Sequence, residues 1–459
     1  MKTFFRPPEG GIQTWVLLTV WCAFMTSAMA EPGTQVISAK PLRATALQGG
    51  VFERCESCNG CHENIYREHV GSMHSQSFAN PVFLAQYTQE VLPQARFSGD
   101  AFRDARSCTA CHAPAAHKQS GARLVRPDPA TARSSSVTCD FCHTIVGFKG
   151  DEAGNANYIV EPGPIKFGPF QTKTDQHHQY SELQTKSEFC AICHSVRNRY
   201  GLDIKSTYAE WQESPHAREG IQCQDCHMSV DGFLTEGRPV HASGVAAFMS
   251  LGSAPQRSTL YTHRFQGARS YSQIEGAIQL ALRDLPQAIR PGDVVPVTLL
   301  VDNSRTGHKM PSGSVELRFL WLDVYAEIDG QRVDLVPAEL PAGYDVTGAS
   351  PELGQQILAG GVPDGRRIYR TILADRRGKP TLASHLAKSI IFDNRLNAAE
   401  VRAETYELAL PASEASRAMI VATMYYVPYP DSFANRLGLP HAEPVQIATT
   451  SKEILLVKP

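Results

Sequence analysis

The sequence predicts two domains: a mostly α and irregular first domain packed around covalently attached groups, then an all-β, immunoglobulin-like sandwich. Three observations carry this expectation. Five short cysteine–histidine cassettes crowd between residues 55 and 230. The same segment is rich in His, Ser, Gly and Pro and poor in long apolar patterns, so its side chains alone make a thin core. From about residue 267 the apolar residues begin to alternate with period two. The boundaries expected are a leader over 1–30, the cassette domain over 31–266 and the sandwich over 267–459.

The leader reads as a secretory signal. Lys2 and Arg6 precede an apolar run from Trp15 to Phe24, and Ala28-Met29-Ala30 supplies a small-x-small cleavage site. The run is too short to span a bilayer, and no later stretch offers about twenty uninterrupted apolar residues, so no transmembrane anchor is expected. The leader points to the periplasm or the cell surface. The formal net charge of −2 excludes a polybasic surface for nucleic acid or membrane.

The cassettes have the form Cys-x-x-Cys-His. The first is Cys58, Cys61 and His62, and the second is Cys108, Cys111 and His112. The third is Cys139, Cys142 and His143, the fourth Cys190, Cys193 and His194, and the fifth Cys223, Cys226 and His227. With 12 Cys and 16 His in 459 residues, chance placement gives on the order of 0.01 such cassettes. Zinc or disulfide pairs need no histidine directly after every second cysteine. Each cassette is therefore read as the attachment site of one c-type haem, five in all. Two thiols bond to the macrocycle's edge and the histidine reaches the iron. With Cys22 in the leader, Cys55 is the one cysteine left over. It could be a structural thiol, an intermolecular disulfide partner or an unusual ligand. Haems of this size would themselves be the interior of the first domain, with short helices around each cassette. Arg123–Val137 and Gly150–Pro169 read as surface connections.

The cassette starts are separated by 50, 31, 51 and 33 residues, an alternation that suggests duplication or paired haems. A second echo joins Tyr66-x-x-His69-x-x-Ser72-x-His74 to Tyr208-x-x-Trp211-x-x-Ser214-x-His216. Eleven histidines lie outside the cassettes, enough to close all five irons with a second imidazole. The candidates are His74 and His216 from the echo, His178 from the His177–His178 pair, His263 at the domain junction, and His308. His117 and His241 stand behind them. His308 lies in Thr306-Gly307-His308-Lys309-Met310-Pro311-Ser312-Gly313, a turn between strands that could reach out of a sandwich. If it ligates, it clamps one domain to the other. His69, His385 and His441 read as packing or surface residues.

In the second domain Val295, Val297, Leu299 and Val301 alternate, as do Leu317, Phe319 and Trp321. Tyr406, Leu408 and Leu410, and then Ala418, Ile420, Ala422, Met424 and Tyr426, repeat the pattern, and Ile454–Val457 ends it. Roughly seven or eight antiparallel strands are expected.

The cassettes, the Trp211-x-x-Ser-x-His216 element, Ser187-Glu-Phe-Cys190 and Cys223-Gln-Asp-Cys-His-Met228 resemble the multihaem cytochrome c-554 type over about residues 55 to 265. That superfamily includes hydroxylamine oxidoreductase and octahaem tetrathionate reductase. The resemblance implies closely packed haem pairs with largely bis-histidine ligation. The Gly-His-x-x-Pro-Ser-Gly turn followed by a sandwich resembles secreted multihaem cytochromes with a C-terminal β domain. The chain departs from the family's enzymes in having five cassettes rather than eight, and it has no Cys-x-x-Cys-Lys cassette of the kind the catalytic haems of ammonia-forming nitrite reductases carry. The expected function is single-electron transfer between a respiratory donor protein and a periplasmic or extracellular acceptor. Two alternatives are an oxidoreductase with one open haem acting on a nitrogen or sulfur oxyanion, and a subunit of a homo-oligomer or cell-surface cytochrome assembly.

Overall fold

The computed structural model describes residues 52–171, 177–249, 252–253, 255–267, 270–290, 292–338, 362–363, 366–411 and 415–457. The leader expected over 1–30 lies outside them. Among the described residues no helix is long and apolar enough to cross a membrane.

Each cassette lies on or directly after a helix, most of them of one or two turns. These are α1 (Glu56–Asn59), α2 (Gly99–His112), α3 (Cys139–His143), α4 (Ser187–His194) and, after α5 (Thr207–Gln212), α6 (Cys223–His227). Several turns start where a side chain accepts a backbone N–H. Ser98 accepts from Ala101, and Thr138 accepts from Phe141 at 3.2 Å. At α6 Gln222 and Asp225 satisfy each other's backbone N–H groups in a capping box. Helices this short are marginal in water and need tertiary partners.

The segment 150–169 departs from the surface connection expected of it. It contributes two strands, Tyr158–Val160 against Ile145–Phe148 and Lys166–Gly168 against His178–Tyr180. Ala153, Tyr158 and Phe167 are buried there. Strands of three or four residues are too short to show a period in the sequence.

From residue 279 the chain is strand-rich. The labelled strands are β1 (Gln279–Arg283), β2 (Val294–Asp302), β3 (Phe319–Ile328), β4 (Arg367–Ala374), β5 (Val401–Ala409), β6 (Arg417–Val427) and β7 (Val445–Leu456). One sheet runs β1–β2–β5–(336–337). The other runs (288–289)–β7–β6–β3–β4–(380–381), with 331–334 and 389–393 added beside β3 and β4. Among the described residues these two sheets hold twelve strands, more than the seven or eight expected. Strands of two to five residues carry little alternation and leave no mark in the sequence.

The two sheets share one core. Val297, Leu299 and Val301 of β2 and Tyr406 and Leu408 of β5 meet Leu322, Val324 and Ala326 of β3 and Ile420, Ala422 and Met424 of β6. Most of these inward residues are those the alternation picked out, each contributing about 1.5–3 kcal/mol when a side chain the size of Val or Leu is fully buried.

The cassette-bearing part and the sheets are joined by a buried polar cluster. Glu210 of α5 pairs with Arg395 at 2.8 Å and accepts from Ser206 and Ser312, each also at 2.8 Å. Arg395 is held from its other side by Asp393, at 2.9 and 3.0 Å, and donates to the Pro311 carbonyl. Burial pushes the Glu210 carboxyl up, but Arg395 and the hydroxyl donors outweigh burial and leave it below the ordinary value. Lys205–Glu316, at 3.1 Å, is a second ion pair across the same boundary.

Candidate functional site

Three cassette histidines are oriented by their Nδ1 atoms. His62 Nδ1–H donates to the Ala246 carbonyl at 2.8 Å, His112 to Ser77 at 2.9 Å, and His143 to Phe167 at 2.6 Å. That leaves the Nε2 lone pair as the free ligand, the arrangement by which a metal-binding imidazole is held. Burial drives the imidazoles toward the neutral, ligating form. His112 and His227 are lowered to about 4, and His143 and His194 are also lowered, in each case chiefly by desolvation.

Four cassette histidines face a second imidazole. Ring centroids lie 5.9 Å apart for His62 and His177, 6.2 Å for His143 and His263, 6.2 Å for His194 and His74, and 6.4 Å for His227 and His308. Two imidazoles bound to one metal from opposite sides, with bonds of about 2 Å, have centroids about 6.3 Å apart. Two of the partners are prepared in the same way. His263 Nδ1 is hydrogen-bonded to the Tyr261 carbonyl at 3.1 Å and His308 Nδ1 to the Lys309 carbonyl at 2.9 Å. Burial lowers His74 and His263 to about 3.

The remaining surroundings fit a covalently held group. Among the described residues all eleven cysteines are free, and none is fully buried, although unpaired cysteine is among the most buried residue types. His194 and His227 are exposed residues, yet desolvation is the leading cause that lowers both imidazoles. Pairs of free thiols, each followed by an imidazole, match the donor set of a c-type haem.

One cassette cysteine is less enclosed than the rest, and several meet thiols of other cassettes. Cys61 is exposed, whereas the other nine cassette cysteines are half-buried. It follows the single turn of α1, which buries no residue of its own, and little covers it beyond residue 248, whose N–H donates to the Cys61 carbonyl at 2.7 Å. Cys111 meets a thiol of another cassette. Cys193 donates to it, and that contact, with burial, pushes the Cys193 thiol well above its ordinary value. The same exchange between cassettes joins Cys58 to Cys139 and Cys190 to Cys223. Spacing along the chain pairs thiols only within a cassette; the packing of α1 to α6 brings together those of different cassettes.

The sequence candidates for the distal ligands divide. His74, His263 and His308 lie opposite cassette histidines. In the His177–His178 pair it is His177 that faces His62. His178, the residue favoured from sequence, spends its Nε2 on the Phe170 carbonyl at 2.7 Å. The strand pairing of 166–168 with 178–180 sets this, by aligning His178 with Lys166. His216 is buried beside the His308 loop, where a Cβ on Gly307 would come within 3.5 Å of it. It forms no ring pair with a cassette histidine among the described residues. His117 uses both nitrogens locally, on Thr109 Oγ1 at 3.2 Å and Arg106 at 3.3 Å. His241 sits between Asp225, at 3.5 Å, and the Tyr261 ring.

His112 differs from the other four. Among the described residues no second imidazole pairs with it; its ring face is covered by Phe83, parallel to within 8° at 3.8 Å. Lys205, which lowers His112 further, is held by Glu316; Arg199 pairs with Asp104 of α2 at 2.9 Å. His385, on a short turn whose carbonyls accept from Asn198, adjoins Arg199.

The loop carrying His308 is fixed from within the sheets. Asn303 Nδ2 donates to the carbonyls of His308, Leu396 and Asn397, and Thr306 Oγ1 donates to His308 as well. Gly307 packs against Trp211, where an added Cβ would meet Cδ1 at 3.3 Å. A residue with no side chain suits this approach.

The family model for cytochrome c554 and c-prime matches residues 57–144, which contain the first three cassettes. The chain is also similar in fold to a penta-haem cytochrome c552 from Thermochromatium tepidum, with a TM-score of 0.62 and 21% identity over 89% of this chain and 100% of that one. Weaker similarities, to AvmM, a macrocyclisation catalyst of alchivemycin A biosynthesis (14% identity, 42% of this chain, 95% of that one, TM-score 0.20), and to the reeler domain of human F-spondin (10%, 40% and 91%, TM-score 0.18), carry no argument. Among curated proteins none matches the chain.

Proposed function

We propose that this chain is an exported multihaem cytochrome c that holds five haems and passes single electrons between a respiratory donor protein and a periplasmic or extracellular acceptor. The observation that carries the reading is the set of four imidazole pairs at 5.9–6.4 Å, each with one member from a cassette. Haem iron bound in this way supplies reversible one-electron exchange with little change of structure. The chain's own residues do the rest. Cassette cysteines, the exposed Cys61 and Cys111 included, tether the groups. Carbonyls of Ala246, Ser77 and Phe167 orient three of the proximal rings, and His177, His263, His74 and His308 close the opposite faces. Pairing of His308 with His227 would lock the proposed sandwich domain, 267–459 and immunoglobulin-like in its two-sheet layering, onto the cassette domain, 31–266. The test is a mass spectrum and a low-temperature electron paramagnetic resonance spectrum of protein made in a haem-loading host. Five haem increments and at least four low-spin signals per chain are expected; fewer than four of either overturns the reading.

A second reading is favoured by one observation. Among the described residues no second imidazole pairs with His112, and among the charged side chains Lys205 is close enough to bear on its titration. An unpaired cassette imidazole would suit an oxidoreductase with one open haem acting on a nitrogen or sulfur oxyanion. Carbon monoxide or cyanide binding at one haem per chain supports it; no binding at any haem removes it.

A further inference from the structure

One group of side chains is absorbed by neither reading. Cys55 is the cysteine that the cassettes leave over, and its Sγ lies in a cluster with one ring nitrogen of His69 and Cys139 Sγ, all three atoms within 4.8 Å of one another. His69 is 5% exposed and its Nδ1 has no hydrogen-bond partner. Its other nitrogen explains the orientation. Nε2–H donates to the Val137 carbonyl at 3.0 Å, which fixes the tautomer and leaves the Nδ1 lone pair for the sulfurs. This is the reverse of His62, His112 and His143, which hold Nδ1 on a carbonyl and keep Nε2 free. The backbone N–H of Cys139 donates to Cys55 Sγ at 3.4 Å and favours its thiolate.

We propose that Cys55 Sγ, His69 Nδ1 and the Cys139 sulfur form a three-coordinate site for a soft monovalent cation, copper(I). The participation of Cys139 as a thioether rests on the haem reading; that of Cys55 and His69 does not. Thiolate, imidazole and thioether are a soft donor set of the kind that selects copper(I). Three donors around one metal atom at bonds of about 2.0–2.3 Å lie about 3.5–4.0 Å apart, so side-chain rotations that draw the sulfurs and Nδ1 together by under about 1.5 Å close the cluster. Charge separates the candidates. One thiolate neutralises a monovalent ion, whereas zinc(II) on the same donors would leave a net positive charge in a mostly buried place. Binding replaces the Cys55 S–H bond with a copper–sulfur bond and releases one proton, with no change of oxidation state. The cassette thiol donor that most strongly lowers the Cys55 titration, to about 5, disappears once Cys139 is a thioether, while the Cys139 N–H and His69 remain.

The haem-loaded full chain is titrated anaerobically with tetrakis(acetonitrile)copper(I) against bicinchoninate, with haem content counted separately by mass. One tightly held copper per chain is expected, and at least a hundredfold weaker retention in Cys55→Ala carrying the same number of haems. On the unsubstituted protein one equivalent of copper(I) is expected to slow maleimide labelling of Cys55 at least tenfold, with no such effect from zinc(II). No retained copper, equal retention by Cys55→Ala, or equal protection by zinc(II) overturns the assignment. A chain with too few haems but an intact copper site would fail the cytochrome reading and leave this one standing on Cys55 and His69.

Discussion

Replacing His308 by alanine isolates one ligand from everything around it. The imidazole lies 6.4 Å from His227, nearly parallel to it at 9°, and its Nε2 is free because Nδ1 is engaged by the Lys309 carbonyl. The loop itself does not depend on the ring. Asn303 bonds three of its neighbouring carbonyls, at 3.1, 3.4 and 2.7 Å, and Thr306 adds a fourth bond at 2.9 Å. His308→Ala therefore removes the proposed ligand and leaves its scaffold. With one haem at each of the five cassettes, as proposed, one haem in five should change from two imidazole ligands to one and become high-spin. The variant should bind one more carbon monoxide per chain than its parent, read from the Soret difference spectrum. His308→Met restores a six-coordinate iron, and its reduction potential should lie above the parent's at that one haem, since methionine ligation favours the reduced state. An unchanged carbon monoxide stoichiometry and spin state in His308→Ala would refute the ring-pair argument on which all four assignments rest.

The neighbouring residues His177 and His178 should separate in the same assay: His177→Ala gives a high-spin haem, and His178→Ala leaves the spin state alone while loosening the 166–168 and 178–180 pairing. Glu210→Ala leaves Arg395 with Asp393 as its remaining carboxylate, and should destabilise the folded chain by about 3 kcal/mol, the lower end of the cost of breaking a buried ion pair; Glu210→Gln should lose less, as measured by urea titration of tryptophan fluorescence. His385 is lowered by burial, and then by Arg199, to about 4. Its folded value lies below the unfolded value of about 6.5, so its contribution is complete above that pH and is lost as the pH falls from about 6.5 to about 4. His385→Leu should flatten that part of the stability profile, and an equally steep profile in the variant would exclude His385 as its source.

Much of this molecule was legible as pattern. The cassettes are contiguous, so their chemistry needs no tertiary knowledge, and the alternation of Val297, Leu299 and Val301 announces a strand with one buried face. How the cassettes meet one another was not legible: the exposure of Cys61 and the contact of Cys111 with Cys193 follow from helix packing, not from spacing. The distal side of each cassette was harder still, because choosing a ligand means choosing a nitrogen. His177 and His178 are indistinguishable by composition; only the register of a three-residue strand sends one to His62 and the other to Phe170. The echo between residues 66–74 and 208–216 reflects similar helices, yet His74 meets His194 while His216 packs beside Gly307, since the elements around the two copies differ. His69 read as an ordinary packing histidine. Its burial, and the vacant Nδ1 beside Cys55, depend on Val137, 68 residues away. Similarly, the ion pair of Glu210 with Arg395 spans 185 residues, and no local signal marks it.

The placement of His308 has a consequence for assembly. It follows His227 by 81 positions and is presented by a loop that exists only when β2 and its neighbours have paired. A chain crossing a membrane with its amino end leading would offer its last cassette to the attachment machinery long before that loop had formed. Tethering would thus come first and closure second, and a sandwich that failed to fold would betray itself by one iron still open to small ligands.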